Sequence, residues 1–216
     1  MNRLVMFDMD GVLFDTMPRH AKAWVQMLRE NGKDFPESLF FLHEGRTGKS
    51  TIEELLGPEA DYDALYDRKC ELFEKMPEAP VMPGALEALR AVRNAGLEAT
   101  IVTGSGQAHT LERLRREFPG LFREDWMVTG SDVKKGKPDP EPYLMGLKKA
   151  GVSAREAFVV ENAPLGVRSG HAAGCRVLAV NTGPLDDSLL IEEGADKLFH
   201  SMAELARALP ELLGSD

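Results

Sequence analysis

Leu4-Val5-Met6-Phe7 is an unbroken apolar run that stops abruptly at Asp8, the pattern of a buried strand running into a loop. Near residue 16 the period becomes helical. Thr16 is placed to N-cap, Pro18 suits a first turn, and Ala21, Trp24, Val25 and Leu28 recur at helical spacing. A second helix is predicted over Thr51 to Leu56. A third runs from about Tyr62 to Met76, with Leu65, Cys70, Leu72 and Phe73 as its apolar positions. Between Met76 and Gly84 lie Pro77, Pro80 and Pro83, so the helix cannot continue and the chain reads as a connector.

Beyond the connector, strands and helices alternate. The pattern predicts a helix over Ala85 to Asn94 closed by Gly96, a strand from Ala99 to Val102 and a helix from Ala108 to Phe118. It continues with a short strand at Met127-Val128, a helix from Pro140 to Lys149 ended by Gly151, and strands at Ala157 to Val160 and Val177 to Val180. Alternation of this kind implies a parallel sheet covered by helices on both faces, a doubly wound α/β fold whose ligands bind outside the carboxyl ends of the strands. The expected organisation is a core of residues 1–15 and 80–216, with residues 16–79 inserted as a small helical domain over that edge.

Composition narrows the function classes. With 26 Lys and Arg against 35 Asp and Glu, the formal charge of −9 opposes general affinity for nucleic acid. Only Cys70 and Cys175 are present, too few for a disulfide framework or a cysteine zinc site, which suits a reducing compartment. The opening apolar run from Met1 is cut by Asp8 and Asp10, so it does not read as a signal peptide, and no apolar stretch approaches a membrane span. A soluble, cytoplasmic chain with no nucleic-acid or membrane partner is expected, acting as a monomer.

Chemistry-bearing residues fall just after predicted strands, where the topology gathers them. Asp8 and Asp10, two residues apart, can divide the work of nucleophile and proton carrier, and Gly11 lets the backbone turn. Thr103-Gly104-Ser105-Gly106 leaves a strand and opens a helix, an arrangement of hydroxyls and backbone N–H groups suited to an anion. Lys137 lies in Lys-Pro-Asp-Pro, where Pro138 holds it extended, and an ammonium there could neutralise an aspartate and a phosphoryl group together. Glu161 and Asn162 offer hard oxygen donors of the kind Mg²⁺ accepts. Each residue alone also fits an ordinary turn, cap or surface role.

Two nucleotide motifs are excluded. The third glycine of a dinucleotide fingerprint is His109, and Gly48-Lys49-Ser50-Thr51 lacks the earlier glycine of a P-loop, which is His43. His43-Glu44-Gly45-Arg46-Thr47 remains as a polar loop suited to closing on a substrate.

Phe7-Asp8-Met9-Asp10-Gly11-Val12-Leu13, then Thr103, then Lys137 in Gly-Lys-Pro-Asp-Pro, then Glu161-Asn162-Ala163-Pro164-Leu165-Gly166-Val167 resembles the haloacid dehalogenase superfamily over nearly the whole chain. The insert looks like that family's C1 helical cap. By that resemblance Asp8 attacks phosphorus to form an aspartyl-phosphate, and Asp10 protonates the leaving group and then activates water. Thr103 and Lys137 hold the phosphoryl group, while Mg²⁺ binds Asp8, the Asp10 carbonyl and the motif of Glu161 and Asn162. Many relatives carry Glu-Asp where this chain has Glu161-Asn162, which implies a higher metal requirement.

Within the superfamily, His20, Ala23-Trp24, Arg68-Lys69 and Lys75-Met76 are similar to the β-phosphoglucomutase-like group. Mutases of that group place a phosphate-gripping arginine where this chain has Gly48. The cap loop, the Glu-Asn-Ala-Pro-Leu-Gly-Val motif and Asn181-Thr182-Gly183-Pro184-Leu185 instead look like its inorganic pyrophosphatase branch. The expectation is therefore an Mg²⁺-dependent phosphohydrolase acting on a small phosphate compound such as pyrophosphate. Glu44 is then expected to meet a substrate-borne Mg²⁺ and Lys69 the distal phosphate, with His20, Arg46, Gly104 and Ser105 completing the substrate site. A sugar-phosphate mutase or phosphatase and a noncatalytic phosphate-binding module are the alternatives, and the paired Asp8 and Asp10 argue against the last.

Overall fold

Leu4–Phe7 forms β1, and all four residues are buried, which is why the run is continuously apolar rather than alternating. The computed structural model describes residues 3–105 and 109–214. After β1 come α1 (Met17–Glu30), α2 (Glu37–Phe40), α3 (Gly48–Leu56), α4 (Tyr62–Glu74), α5 (Ala85–Asn94) and β2 (Glu98–Ile101). The order continues with α6 (His109–Glu117), α7 (Glu141–Ala150), β3 (Ala157–Glu161), α8 (Pro164–Ala172), β4 (Arg176–Val180), α9 (Asp187–Glu192), β5 (Lys197–Phe199) and α10 (Met202–Gly214).

The five strands form one parallel sheet in the order β2-β1-β3-β4-β5. Register decides which residues meet at its carboxyl edge. Phe7 lies opposite Ile101 of β2 and Val160 of β3, so the next residues, Asp8, Val102 and Glu161, come side by side at that edge. Successive strand residues face opposite sides. Val5, Phe7, Ile101 and Val160 pack with Leu89 of α5 and Leu205 of α10, whereas Leu4, Met6, Val159 and Val177 pack with Tyr143 of α7 and Val167 of α8. The doubly wound class is thus present as expected.

Helices α1 to α4 bury a third apolar cluster of their own, in which Met17, Ala21, Trp24, Leu28, Phe40, Ile52 and Leu55 meet. Among the described residues no helix is long and apolar enough to cross a membrane.

Several local expectations need correction. The strand expected at Met127-Val128 reduces to an isolated parallel bridge between Val128 and Val102. Thr16 does not cap α1, because its backbone is already in the helical region and its side chain bonds elsewhere. The hydrophobic pattern carries no clear sign of α2, α8, α9, α10 or β5. Strand β5 has three residues and begins with Lys197, and α8 contains Pro164, Gly166 and Gly170, all poor helix formers. Gly170 is required by packing, since a Cβ there would crowd Val159 and Val177. Met1, Gly106 and the expected helix start at Ala108 lie outside the described residues.

Candidate active site

The carboxyl edge of the sheet gathers the expected residues into one buried charge cluster. Asp8 follows β1, its N–H donating to Val160 O at 2.9 Å. Lys137, 2 % exposed, sends its ammonium to Asp8 Oδ1 at 2.5 Å, to Glu161 Oε1 at 2.6 Å and to Val102 O at 3.1 Å. It reaches inward from a loop whose Lys137-Pro138 peptide bond is cis.

Burial raises the Asp8 pKa, the Lys137 charge opposes this, and the neighbouring Glu161 and Asp10 carboxylates add to the rise. Burial alone would discharge Lys137, but the attraction of Asp8 and Glu161 outweighs it and holds the ammonium charged.

Glu161 is expected among the metal ligands, yet neither of its oxygens is free of a donor. Tyr143 OH donates to Oε1 at 2.7 Å beside Lys137, and the N–H groups of Asn162 and Ala163 donate to Oε2 at 3.1 and 3.4 Å. Its carboxylate is the counter-charge of Lys137. Gly166 permits this arrangement, because a Cβ there would collide with the Glu161 carboxyl.

Asn162 is placed differently. Its Nδ2 donates to Glu44 Oε1 at 2.5 Å, and its Oδ1 is buried without a partner. A buried amide oxygen without a donor is costly unless something else fills the position. The Asp8 carboxylate and the Asp10 backbone carbonyl are the other oxygens that the family resemblance implies, and an all-oxygen set of low charge is of the kind that Mg²⁺ accepts while keeping several waters. Gly11, at φ 82°, makes room, since a Cβ there would meet the Asn162 amide. Among the described residues no group of three or more His, Cys, Asp or Glu side chains forms a metal centre.

Asp10 is held by three donors: Thr16 Oγ1 at 2.6 Å and His20 Nε2 at 3.2 Å on Oδ1, and Ser105 Oγ at 2.7 Å on Oδ2. Burial alone would raise its pKa, but the pull of His20 and these bonds prevails and holds it well below the usual carboxylate range. Thr16, which the sequence marks only as a cap, is therefore part of the site. So is Tyr143, which the sequence marks only as a residue of a helix.

On the insert side, His20 Nδ1 lies 3.0 Å from Lys69 Nζ, and the Lys69 ammonium faces the rings of Trp24, Tyr66 and Phe73 at 5.0 to 5.7 Å. Burial lowers the Lys69 pKa to about 8, and burial with the Lys69 charge also lowers that of His20. Arg46 pairs with Glu54 at 2.6 Å. A cavity of about 60 Å³ touches Asp8, Asp10, His20, Arg46, Lys69 and Ser105. Glu44 lines the same cavity and accepts a hydrogen bond from the Asn162 amide, and burial raises its pKa well above the ordinary value. Tyr66 lies across Gly48, filling the space a side chain there would take.

Thr103, 3 % exposed, accepts the Ser105 N–H at 3.0 Å on Oγ1. The loop 44–47 rests directly on the core at two glycines. A Cβ on Gly104 would lie 2.9 Å from Arg46 O and 3.0 Å from Gly45 O, and one on Gly136 would collide with Thr47 Cγ2. Of the anion site expected over Thr103 to Gly106, Gly106 lies outside the described residues.

Comparison with known proteins gives a concordant picture. The profile of haloacid dehalogenase-like hydrolases matches residues 2–174. Hexitol phosphatase A of Escherichia coli is 36% identical over 203 residues, covering 93% of this chain and 91% of that protein. The phosphorylated carbohydrates phosphatase of Thermotoga maritima is 33% identical, covering 97% of this chain and 99% of its own. Among solved structures, a Bacteroides vulgatus protein with a provisional beta-phosphoglucomutase assignment is 48% identical, with a TM-score of 0.94 over 99% of this chain and 91% of that one.

Proposed function

Because this chain belongs to the haloacid dehalogenase-like hydrolases, we propose that it is a phosphatase of phosphorylated sugars or sugar alcohols that carries the phosphoryl group transiently on Asp8. The carrying observation is the pairing of Asp8 with the buried Lys137 ammonium while Asp10, two residues on, is held by Thr16, His20 and Ser105. The substrate class is supported by the names of the two phosphatase relatives. Neither of them is a pyrophosphatase, so the pyrophosphate expectation gains no support from them.

In this reading an Asp8 oxygen forms a bond to phosphorus as the bond from phosphorus to the sugar oxygen breaks, and Asp10, a carboxylate in the free site that takes up a proton from solvent as substrate binds, delivers that proton to the departing oxygen. Asp10, again a carboxylate, then takes a proton from the water that attacks phosphorus and frees Asp8. Lys137 neutralises charge on Asp8 and on the phosphoryl oxygens, and the Thr103 and Ser105 hydroxyls lie at the same edge. Asp8, the Asp10 carbonyl and Asn162 Oδ1 would hold Mg²⁺, which when bound supplies positive charge against the phosphoryl oxygens. Residues 16–79 act as the cap: His20, Arg46 and Lys69 face the sugar side, and loop 44–47 excludes water as it seats on Gly104 and Gly136.

The Bacteroides vulgatus neighbour favours mutase activity as a second reading. Against it, Tyr66 fills the space at Gly48, where the mutases' arginine would stand. Phosphate release with Mg²⁺ from a hexitol phosphate, glycerol 1-phosphate, β-glucose 1-phosphate and pyrophosphate, with Asp8→Asn as blank, separates the readings. Preference for the carbohydrate phosphates supports the proposal, dominance of pyrophosphate overturns the substrate class, and conversion of β-glucose 1-phosphate to glucose 6-phosphate supports the mutase.

A further inference from the structure

The active site holds two buried lysines in opposite surroundings. Lys137 stands between Asp8 and Glu161, whose attraction keeps it an ammonium. Lys69 of α4, 3 % exposed, lines the cavity at Asp8 from the insert side. Its Nζ meets His20 Nδ1 at 3.0 Å and the rings of Trp24, Tyr66 and Phe73 at 5.0 to 5.7 Å. Asp8, Asp10 and Glu44 line the same cavity, yet among the described residues no carboxylate lies within ion-pair distance of Lys69.

A lysine taken out of water, set among aromatic rings and left without a counter-charge is in the surroundings that turn an ammonium into a nucleophilic amine. Burial lowers the Lys69 pKa to about 8, so at pH 7 about a tenth of the side chains carry the free amine. The titratable and charged groups around it are His20 and Arg19 of α1, Tyr66 and Cys70 of its own helix, and Asp10 of the core. Arg19 favours the amine, whereas Cys70 and Asp10 oppose it. Phosphoryl transfer to Asp8 makes no use of this reactivity. A sugar phosphate whose phosphate meets Asp8 extends its carbon chain into the cavity that Lys69 lines.

We propose that Lys69 is an imine-forming site for the aldehyde group of an open-chain aldose phosphate held through its phosphate at Asp8, so that aldehydes are captured where sugar alcohols are only hydrolysed. The proposal rests on the phosphatase reading of the Asp8 cavity. In this step Nζ forms a double bond to the carbonyl carbon as the bond from that carbon to oxygen breaks. The oxygen leaves as water with two of the three ammonium hydrogens, and the protonated imine keeps the positive charge. No electrons are gained or lost, and water reverses the step. An aldose phosphate therefore holds the site longer than the matching sugar-alcohol phosphate.

The test treats the full chain with D-glyceraldehyde 3-phosphate and cyanoborohydride, which reduces an imine to a stable amine, and maps the adduct by peptide mass. The adduct should fall on Lys69 and form about tenfold faster or more than with glyceraldehyde, since the phosphate positions the aldehyde. Inorganic phosphate and glycerol 1-phosphate should suppress it, and phosphatase activity should fall as it forms. Lys69→Arg keeps the charge without a condensing amine and should resist this inactivation. Labelling of Lys69 that is equally fast with glyceraldehyde, or adducts on exposed lysines with Lys69 spared, in a chain that hydrolyses glycerol 1-phosphate, would overturn the imine site and leave the phosphatase reading standing. A chain that hydrolyses no carbohydrate phosphate, and whose Lys69 inorganic phosphate does not protect, would overturn both.

Discussion

Lys137 places its ammonium 2.5 Å from Asp8 Oδ1, joining residues 129 positions apart in a site almost sealed from solvent. The same ammonium holds Glu161 at 2.6 Å, so one positive charge serves two buried carboxylates. Removing it leaves both uncompensated. Lys137→Met should lower stability by about 3 kcal/mol or more. It should also lower kcat by roughly a hundredfold, since a charge aimed at the phosphoryl group is lost. Urea unfolding and phosphate release measure the two effects.

Tyr143→Phe isolates the other side of the same cluster. It deletes the 2.7 Å bond to Glu161 Oε1 while keeping the ring that fills the core against β1. The expected cost is about 1 to 3 kcal/mol in urea unfolding, because a buried carboxylate loses one donor. The loss of kcat should be much smaller than in Lys137→Met, since Lys137 keeps its contact with Asp8.

Lys69 sets a pH dependence with a definite sign. Its pKa is about 8 in the folded chain against 10.5 for an ordinary lysine, because burial disfavours the charge. The ammonium that attracts substrate is present below pH 8 and lost above it. KM should therefore climb as pH passes through 8, and Lys69→Met should show a high KM without that limb. Between pH 8 and 10.5 the unfolded chain binds the proton that the folded chain has released, so this group's contribution to stability rises with pH there. Urea midpoints of the parent relative to Lys69→Met across that window should show it.

How the insert seats on the core is testable by subtraction. A methyl added at Gly136 meets Thr47 Cγ2, whereas serine at 47 removes that methyl and keeps the hydroxyl that accepts the Ser50 N–H at 3.3 Å. Gly136→Ala should lower kcat/KM about tenfold, in line with misplacement of a closing element. Adding Thr47→Ser should restore most of it. A loss that the second substitution does not reverse would place the fault in the Lys137 loop or in the Thr47 backbone nitrogen, which lies 3.1 Å from the added methyl.

Much of the core is legible in the sequence because β1, β3 and β4 are short apolar runs between turn residues, and Asp8 and Glu161 sit where β1 and β3 end, with Thr103 two residues beyond β2. Lys137 is legible from its prolines, as is an aspartate partner, but its pairing with Glu161 is not, because that depends on β1 and β3 lying in register. Thr16 reads as a cap because a cap and a donor to Asp10 use the same hydroxyl, and only the position of Asp10 decides between them. Glu161 reads as a metal ligand because with Asn162 it ends an apolar strand and offers a hard oxygen donor, whereas the groups that meet its oxygens come from Tyr143, Lys137 and local backbone. The α8 helix is hidden by glycines kept for close packing, and β5 by its shortness.

The central claim is that Asp8 carries the phosphoryl group. Its most direct test is acid quenching during turnover of a hexitol phosphate with Mg²⁺, followed by peptide mass mapping. The mass of one phosphoryl group on the peptide containing Asp8, absent from Asp8→Asn, is the predicted result. Sustained turnover by Asp8→Asn, or a phosphoryl group found on another residue, would contradict it.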